Sequence, residues 1–282
     1  MDHHESGYAG SMGGRGLAVL IAGVVAAVAM GDNAALTSGG LPKMMVAHPS
    51  IRMAQEDVTV TMHADHVDTE CIFRFTNDGV ACTVNMGFPD FGLWAYAITW
   101  DKPRSMFKRF QSYVDGKPVP TKLVRGSAPG EQWQTKLVRF PSHGTRIVKE
   151  LYRTELGGIA DKILVCAASY ILHTGASWKG NIGKATVIVT FAPDSEVALP
   201  LVSYVNPLGS PSQEARDQYL ANMEKPGAVF PLCKIKPEIK GNSLIFRRDN
   251  WRPSKDDDIL VFFHYPRSAY EKLMKDARTK HH

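Results

Sequence analysis

The chain has 282 residues, a formal net charge of +5 and 44% hydrophobic residues, enough apolar material for one large or two moderate cores. Its Lys and Arg are spread along the sequence without a basic run, so the mild positive charge reads as a solubilising surface. Such a surface can sit against an acidic envelope polymer, and nothing in it suggests nucleic acid as a partner.

The first organised feature is the run LAVLIAGVVAAVAM at residues 17–30, which follows a polar stretch ending at Arg15. A bilayer span needs roughly 20 apolar residues, whereas the core of a signal peptide needs about 7 to 15 and ends in small residues at alternate positions. Ala27-Val28-Ala29 supplies that ending, which places cleavage after Ala29, with a start at Gly31 or Asp32 as the near alternative. Asp2 and Glu5 make the leading segment unusually acidic, and an uncleaved anchor is the competing reading. No Cys lies near the cleavage point to carry a lipid. The expected location is periplasmic or secreted, with no stable membrane insertion after leader cleavage.

Beyond the leader (1–29), the pattern divides into an N-terminal β-sandwich at 30–156 and a C-terminal one at 157–267. The two could also form one continuous sandwich, and a short helical tail is expected at 268–282. Residues 58–62 alternate, 70–76 are rich in β-formers, and 81–86 follow after Asn77-Asp78-Gly79. Asp-Gly between such runs predicts a hairpin, with Phe75 facing Cys82 and Cys71 facing Met86. A second hairpin is expected at Asp115-Gly116, pairing Val114 with Lys117. Pro118 and Pro120 then leave this strand fit only for a sheet edge. Further strand patterns occur at 134–140, 146–153, 163–172, 185–191, 243–247 and 259–264, separated by Gly, Pro, Ser or Asn turns. The expected class is therefore mainly β: one or two antiparallel immunoglobulin-like β-sandwiches with one or two short helices. The helix candidates are 212–225, with a capping Ser212 and a stop at Pro226-Gly227, and 268–278.

Cys71, Cys82, Cys166 and Cys233 show no C-x-x-C spacing that would suggest a metal site. Buried free thiols and one or two disulfides are both compatible with them.

Three stretches together resemble a family of exported bacterial proteins known as a domain of unknown function. They are GDNAALTSGGL at 31–41, the span 51–89 ending Met-Gly-Phe-Pro, and YILHTGASWKG at 170–180. The resemblance implies an exported β protein and carries over no catalytic residue.

Several constellations bear on chemistry. His63-Ala-Asp-His-Val-Asp68 lies at the tip between the first two strands, where His63, Asp65, His66 and Asp68 offer imidazole and carboxylate ligands for Zn²⁺ or another divalent ion. The same residues also suit a solvated turn. Lys255-Asp-Asp-Asp258 lacks the spacing of a calcium loop and reads as a solvated charge run before a hydrophobic strand. Trp94, Tyr96, Trp100, Trp178 and Lys179 stand in turns where aromatic faces stack on sugars or peptides, although Trp also closes sandwich cores. Among them Trp178, between Gly175 and Gly180, is the first candidate for a ligand platform. Hydrolase and nucleotide-binding signatures are absent, and no cofactor is expected.

The expectation is a non-enzymatic envelope or extracellular protein that binds an envelope polymer or another exported protein. One alternative is a hydrolase acting on envelope carbohydrate or peptide. Another is a structural component of a secreted assembly, joined through the edge strand at 117–123.

Overall fold

The computed structural model describes residues 38–46, 48–91, 102–155, 157–158, 165–195, 229–264 and 271. In chain order the strands begin with β1 (Ser38–Gly40), β2 (Lys43–Met44), β3 (Ile51–Met62), β4 (His66–Asn77), β5 (Cys82–Pro89) and β6 (Phe107–Val114). Next come β7 (Lys117–Pro118), β8 (Lys122–Arg125), β9 (Gln132–Phe140), β10 (Thr145–Glu155) and β11 (Gly157–Gly158). The chain continues through β12 (Val165–Ile171), β13 (Ile182–Phe191), β14 (Val229–Leu232), β15 (Glu238–Lys240), β16 (Ser243–Trp251) and β17 (Ile259–His264). Among the described residues, helix amounts to 3-10 turns such as His173–Ser177, Pro193–Ser195 and Lys255–Asp257 and the single α-helical residue Glu271, and no helix is long and apolar enough to cross a membrane. The leader, the 212–225 helix and all of the 268–282 tail except Glu271 lie outside the described residues.

An eight-stranded sheet in the order β15-β16-β13-β3-β4-β10-β6-β7 forms one layer. Period-2 alternation gives it a dry face and a wet one. Along β4, Val67, Thr69, Cys71, Phe73 and Phe75 point inward, while His66, Asp68, Glu70, Ile72 and Arg74 point out. Two smaller sheets cover the dry face. The four-stranded sheet β2-β5-β9-β8 packs through Phe88 on Phe73 and Phe140 on Phe75. The five-stranded sheet, β1-β12-β17-β14 with β11 beside β12, packs through Phe263 on Phe191 and Tyr170 on Glu56.

This arrangement departs from the antiparallel immunoglobulin-like expectation in two pairings. Strands β3 and β13 run parallel, as do β1 and β12. The parallel pairing of β3 with β13 also carries one sheet across residue 156, so strands of both expected sandwiches share a layer.

The Asp115-Gly116 hairpin forms with Val114 opposite Lys117, and both turn residues have positive φ, 49° and 77°, as such a turn demands. Strand β7 ends the eight-stranded sheet, whereas β8 pairs with β9 at the edge of the four-stranded one. The 117–123 segment is thus divided between two sheet edges.

At Asp78-Gly79 no hairpin forms: β4 pairs with β3 and β10, β5 with β2 and β9, and the chain crosses from one layer to the other. The reason is Asn77, fully buried at the crossing. Its Oδ1 accepts from Ser50 Oγ (2.6 Å) and Gly79 N–H (3.0 Å), and its Nδ2 donates to the carbonyls of Val80 (2.7 Å) and Pro141 (2.9 Å). Pro141 opens a second crossing, at 141–144, so this one amide ties both layer changes together. Local turn propensity is overridden by a fully satisfied side chain.

Candidate metal centre

The β3–β4 turn is closed by His63 N–H donating to the carbonyl of His66 (2.9 Å). Because residues i and i+2 of a strand share a face, His66 and Asp68 both project from the outer side of β4, and His63 folds over them. The two imidazoles stack with centroids 4.4 Å apart and planes 11° from parallel. One ligand atom each from His63, His66 and Asp68 lies within 4.8 Å of the others. Tetrahedral zinc with bonds of about 2.0–2.1 Å holds its ligands ~3.3 Å apart. His66 Nε2 and Asp68 Oδ2, at 3.5 Å, are already close to that spacing.

The surroundings are strongly charged. Asp68 faces Arg153 directly across the ladder and is gripped by its guanidinium, Nε at 2.8 Å and Nη2 at 2.6 Å. This fork holds the Asp68 carboxyl below its ordinary pKa, so the group is an anion ready to ligate. Asp194 reaches His63 Nδ1 at 3.3 Å and accepts from the N–H of Ala64 at the same distance. It arrives there because β13 runs parallel to β3, with Phe191 beside Met62, and the Pro193–Ser195 turn follows at once.

Of the expected ligands, His63, His66 and Asp68 converge, whereas the Asp65 carboxylate lies 2.5 Å from His66 Nδ1, on the other side of the ring from Nε2. No sequence pattern pointed to Asp194 or Arg153, since only strand pairing brings them in.

The aromatic candidates fare differently. Trp178 is 2% exposed, its ring lies 4.4 Å from that of Phe75, and its Nε1–H donates to the carbonyl of Pro42 (2.6 Å). This indole closes the core and turns no face to solvent. A Cβ on Gly175 would come within 2.5 Å of Leu41, so that glycine admits a core side chain. Lys179 is exposed and pairs with Asp78 (3.0 Å). Trp94, Tyr96 and Trp100 lie outside the described residues.

In the acidic run Lys255 and Asp256 are exposed as the solvated reading expects, whereas Asp257 and Asp258 depart from it. Asp257 accepts from Ser254 N–H and Oγ (2.8 and 2.7 Å). Asp258 accepts from the N–H groups of Leu172 and His173 (2.7 and 2.9 Å) and meets His173 Nδ1 at 2.7 Å. Both are buried because these backbone donors replace water.

A second ionisable cluster sits between the layers. Glu56 is fully buried; its Oε1 accepts from Tyr170 Oη (2.9 Å), and desolvation pushes its pKa up to about 8. Cys71 lies 3.7 Å from the same Tyr170 hydroxyl, and burial raises its thiol pKa. Alongside, Lys136 of β9 and Glu150 of β10 form a fully buried ion pair between sheets. Burial also pushes the Glu150 carboxyl up, against the pull of Lys136. Cys71 and Cys82 carry free thiols and the buried Cys233 Sγ meets the carbonyl of Ile235 at 2.9 Å, while the side chain of Cys166 lies outside the described set.

Comparison with known proteins places the fold. A sequence profile of the family described as a domain of unknown function, DUF4424, matches residues 31–140, and over that part the chain is a β-rich domain related to it. No curated protein sequence matches the chain. Among solved structures, a Legionella pneumophila protein described as a candidate nutrient-binding protein is similar at a TM-score of 0.57 and 18% identity, over 86% of this chain and 75% of that one. At such identity the likeness is one of fold. The M1 zinc metallopeptidase of Deinococcus radiodurans matches at a TM-score of 0.36 and 8% identity, over 77% of this chain and 43% of the enzyme. For yeast LTA4 hydrolase the values are 0.39 and 7%, over 79% of this chain and 30% of the enzyme. This chain spans less than half the length of either enzyme, and neither similarity carries a functional argument.

Proposed function

We propose that this chain is an exported, non-enzymatic binding protein of the envelope or extracellular space that takes a divalent transition-metal ion at the β3–β4 turn. Its macromolecular partner is an envelope polymer or another exported protein. The convergence of His63, His66 and Asp68 carries the metal reading. Two imidazoles and a carboxylate form a borderline N/O donor set suited to Zn²⁺, Ni²⁺, Cu²⁺ or Fe²⁺ and poorly suited to Ca²⁺. Export rests on the apolar run and small-residue ending at 17–30. A binding role is in keeping with the description of the Legionella protein of similar fold.

The test is metal content of the purified chain after dialysis, followed by calorimetric titration with Zn²⁺. One ion per chain, lost in His66→Ala, is expected. A stoichiometry near zero for every transition metal would overturn the reading.

One observation favours hydrolysis as a second reading: three protein ligands leave a further coordination position for water, as catalytic zinc sites do. Cleavage of envelope glycan or peptide by the zinc-loaded chain, abolished in His66→Ala, would support it.

A further inference from the structure

Each imidazole of the turn is engaged at Nδ1 by a carboxylate that is not among the three converging ligands. For His63 the partner is Asp194, with both carboxylate oxygens at 3.3 Å. For His66 it is Asp65, at 2.5 Å. A carboxylate at Nδ1 keeps the proton on that nitrogen, because N–H can donate to it and a bare ring nitrogen cannot. The tautomer so fixed leaves Nε2 as the lone-pair nitrogen. His66 Nε2 is buried from solvent, has no hydrogen-bond partner and stands 3.5 Å from Asp68 Oδ2.

We infer that Asp65 and Asp194 are positioning residues for the metal. They hold His66 and His63 as Nδ1–H tautomers, so that the ion is taken by Nε2 of each ring together with Asp68. This assignment rests on the metal reading proposed above. Ligating histidines usually donate their other N–H to a carboxylate or carbonyl, which raises ligand basicity and fixes ring orientation.

The two carboxylates are not equivalent. Asp65 is adjacent to His66 in sequence and belongs to the turn itself. Asp194 comes from the turn after β13, and with Ala192 N–H bonded to the carbonyl of Met62 (2.9 Å) that turn is fixed against the end of β3. Metal binding therefore clamps the ends of two parallel neighbours, β3 and β13.

Arg153 is the competing partner, since its fork occupies both oxygens of Asp68. The ion must share Asp68 with this guanidinium or displace it.

The experiment combines two measurements on the full chain. Long-range ¹H–¹⁵N spectra of the apo protein report which nitrogen of each ring carries the proton. Titration with Co²⁺, followed by its visible absorption, reports affinity and stoichiometry. The wild type should show Nδ1–H tautomers at His63 and His66 and bind one Co²⁺. Asp194→Asn should keep that stoichiometry while weakening affinity roughly 10–100-fold, with a His63 spectrum that no longer shows a single Nδ1–H tautomer. Asp65→Asn should act in the same way on His66. Both carboxylates are more than half exposed, so these variants leave the core intact, and an unchanged thermal melt of the apo protein verifies it. Nε2–H tautomers in the wild type, or variants that bind Co²⁺ as tightly, would overturn the positioning roles while the metal reading stands. A wild type that binds no Co²⁺ or Zn²⁺ would remove the metal reading itself.

Discussion

Replacing Glu56 by Gln should make the protein more stable near neutral pH and flatten the fall of its stability with pH. In the folded chain the Glu56 carboxyl is fully buried, and desolvation raises its pKa from 4.5 to about 8. The unfolded chain gives up this proton near 4.5, so between the two values the folded state binds more protons and stability declines as pH rises. The contribution is fully present below 4.5 and lost by about 8. Each unit inside the window removes about 1.4 kcal/mol, which comes to about 3 kcal/mol at pH 7 and a ceiling of about 5 kcal/mol above pH 8. Glutamine keeps the carbonyl that accepts from Tyr170 Oη and carries no charge to desolvate. Burial pushes Asp90 and Glu150 upward too, so the wild-type slope contains their contributions, and the difference between wild type and Glu56→Gln isolates Glu56. Urea denaturation at pH 5, 6, 7 and 8 measures it. A wild-type curve no steeper than that of Glu56→Gln would refute the burial argument.

Two further outcomes follow from the interior. Lys136→Met leaves Glu150 buried without its cation and should cost about 3–5 kcal/mol, whereas Lys136→Met with Glu150→Leu should recover most of that loss, both read from chemical denaturation. Asn77→Ala strips partners from Ser50 Oγ, Gly79 N–H and the carbonyls of Val80 and Pro141. With each lost bond worth about 1 kcal/mol, a destabilisation of about 3–4 kcal/mol is expected, with faster hydrogen exchange in both crossings.

The sequence reveals what depends on near neighbours. Asp115-Gly116 makes its hairpin because the turn alone decides it, and the period-2 alternation of β4 and β10 sets their dry faces. Even the buried ion pair is written there, since Lys136 is in phase with Val138 and Phe140, and Glu150 with Val148 and Tyr152. Glu56 is hidden by a bulge: the ladder slips between Met53 and Gln55, which brings inward a residue that simple alternation from Met53 would turn out. Asp78-Gly79 carries the same local signal as the true hairpin and fails because the Asn77 amide finds Pro141, 64 positions away. At the metal turn, His63, His66 and Asp68 are legible as a cluster. Asp194, 131 positions from His63, becomes its neighbour through strand pairing alone. Trp178 has the glycines and turn context of an exposed platform, yet the neighbouring layers close over it.

The parallel pairing of β3 with β13 also sets a timetable for folding. Val58 lies beside Val187, so during synthesis at about 5–20 residues per second that flank of β3 waits on the order of 10 s for its permanent neighbour. During that interval β3 can pair with β4, and later β4 with β10, but one row of N–H and C=O groups on β3 stays open to any strand that comes first. Closing a loop this long is slow and entropically costly before it is rewarded. The nascent protein therefore passes through a stage in which its eight-stranded sheet has an unfinished margin, and its yield in the cell should depend on what shields that margin until β13 arrives.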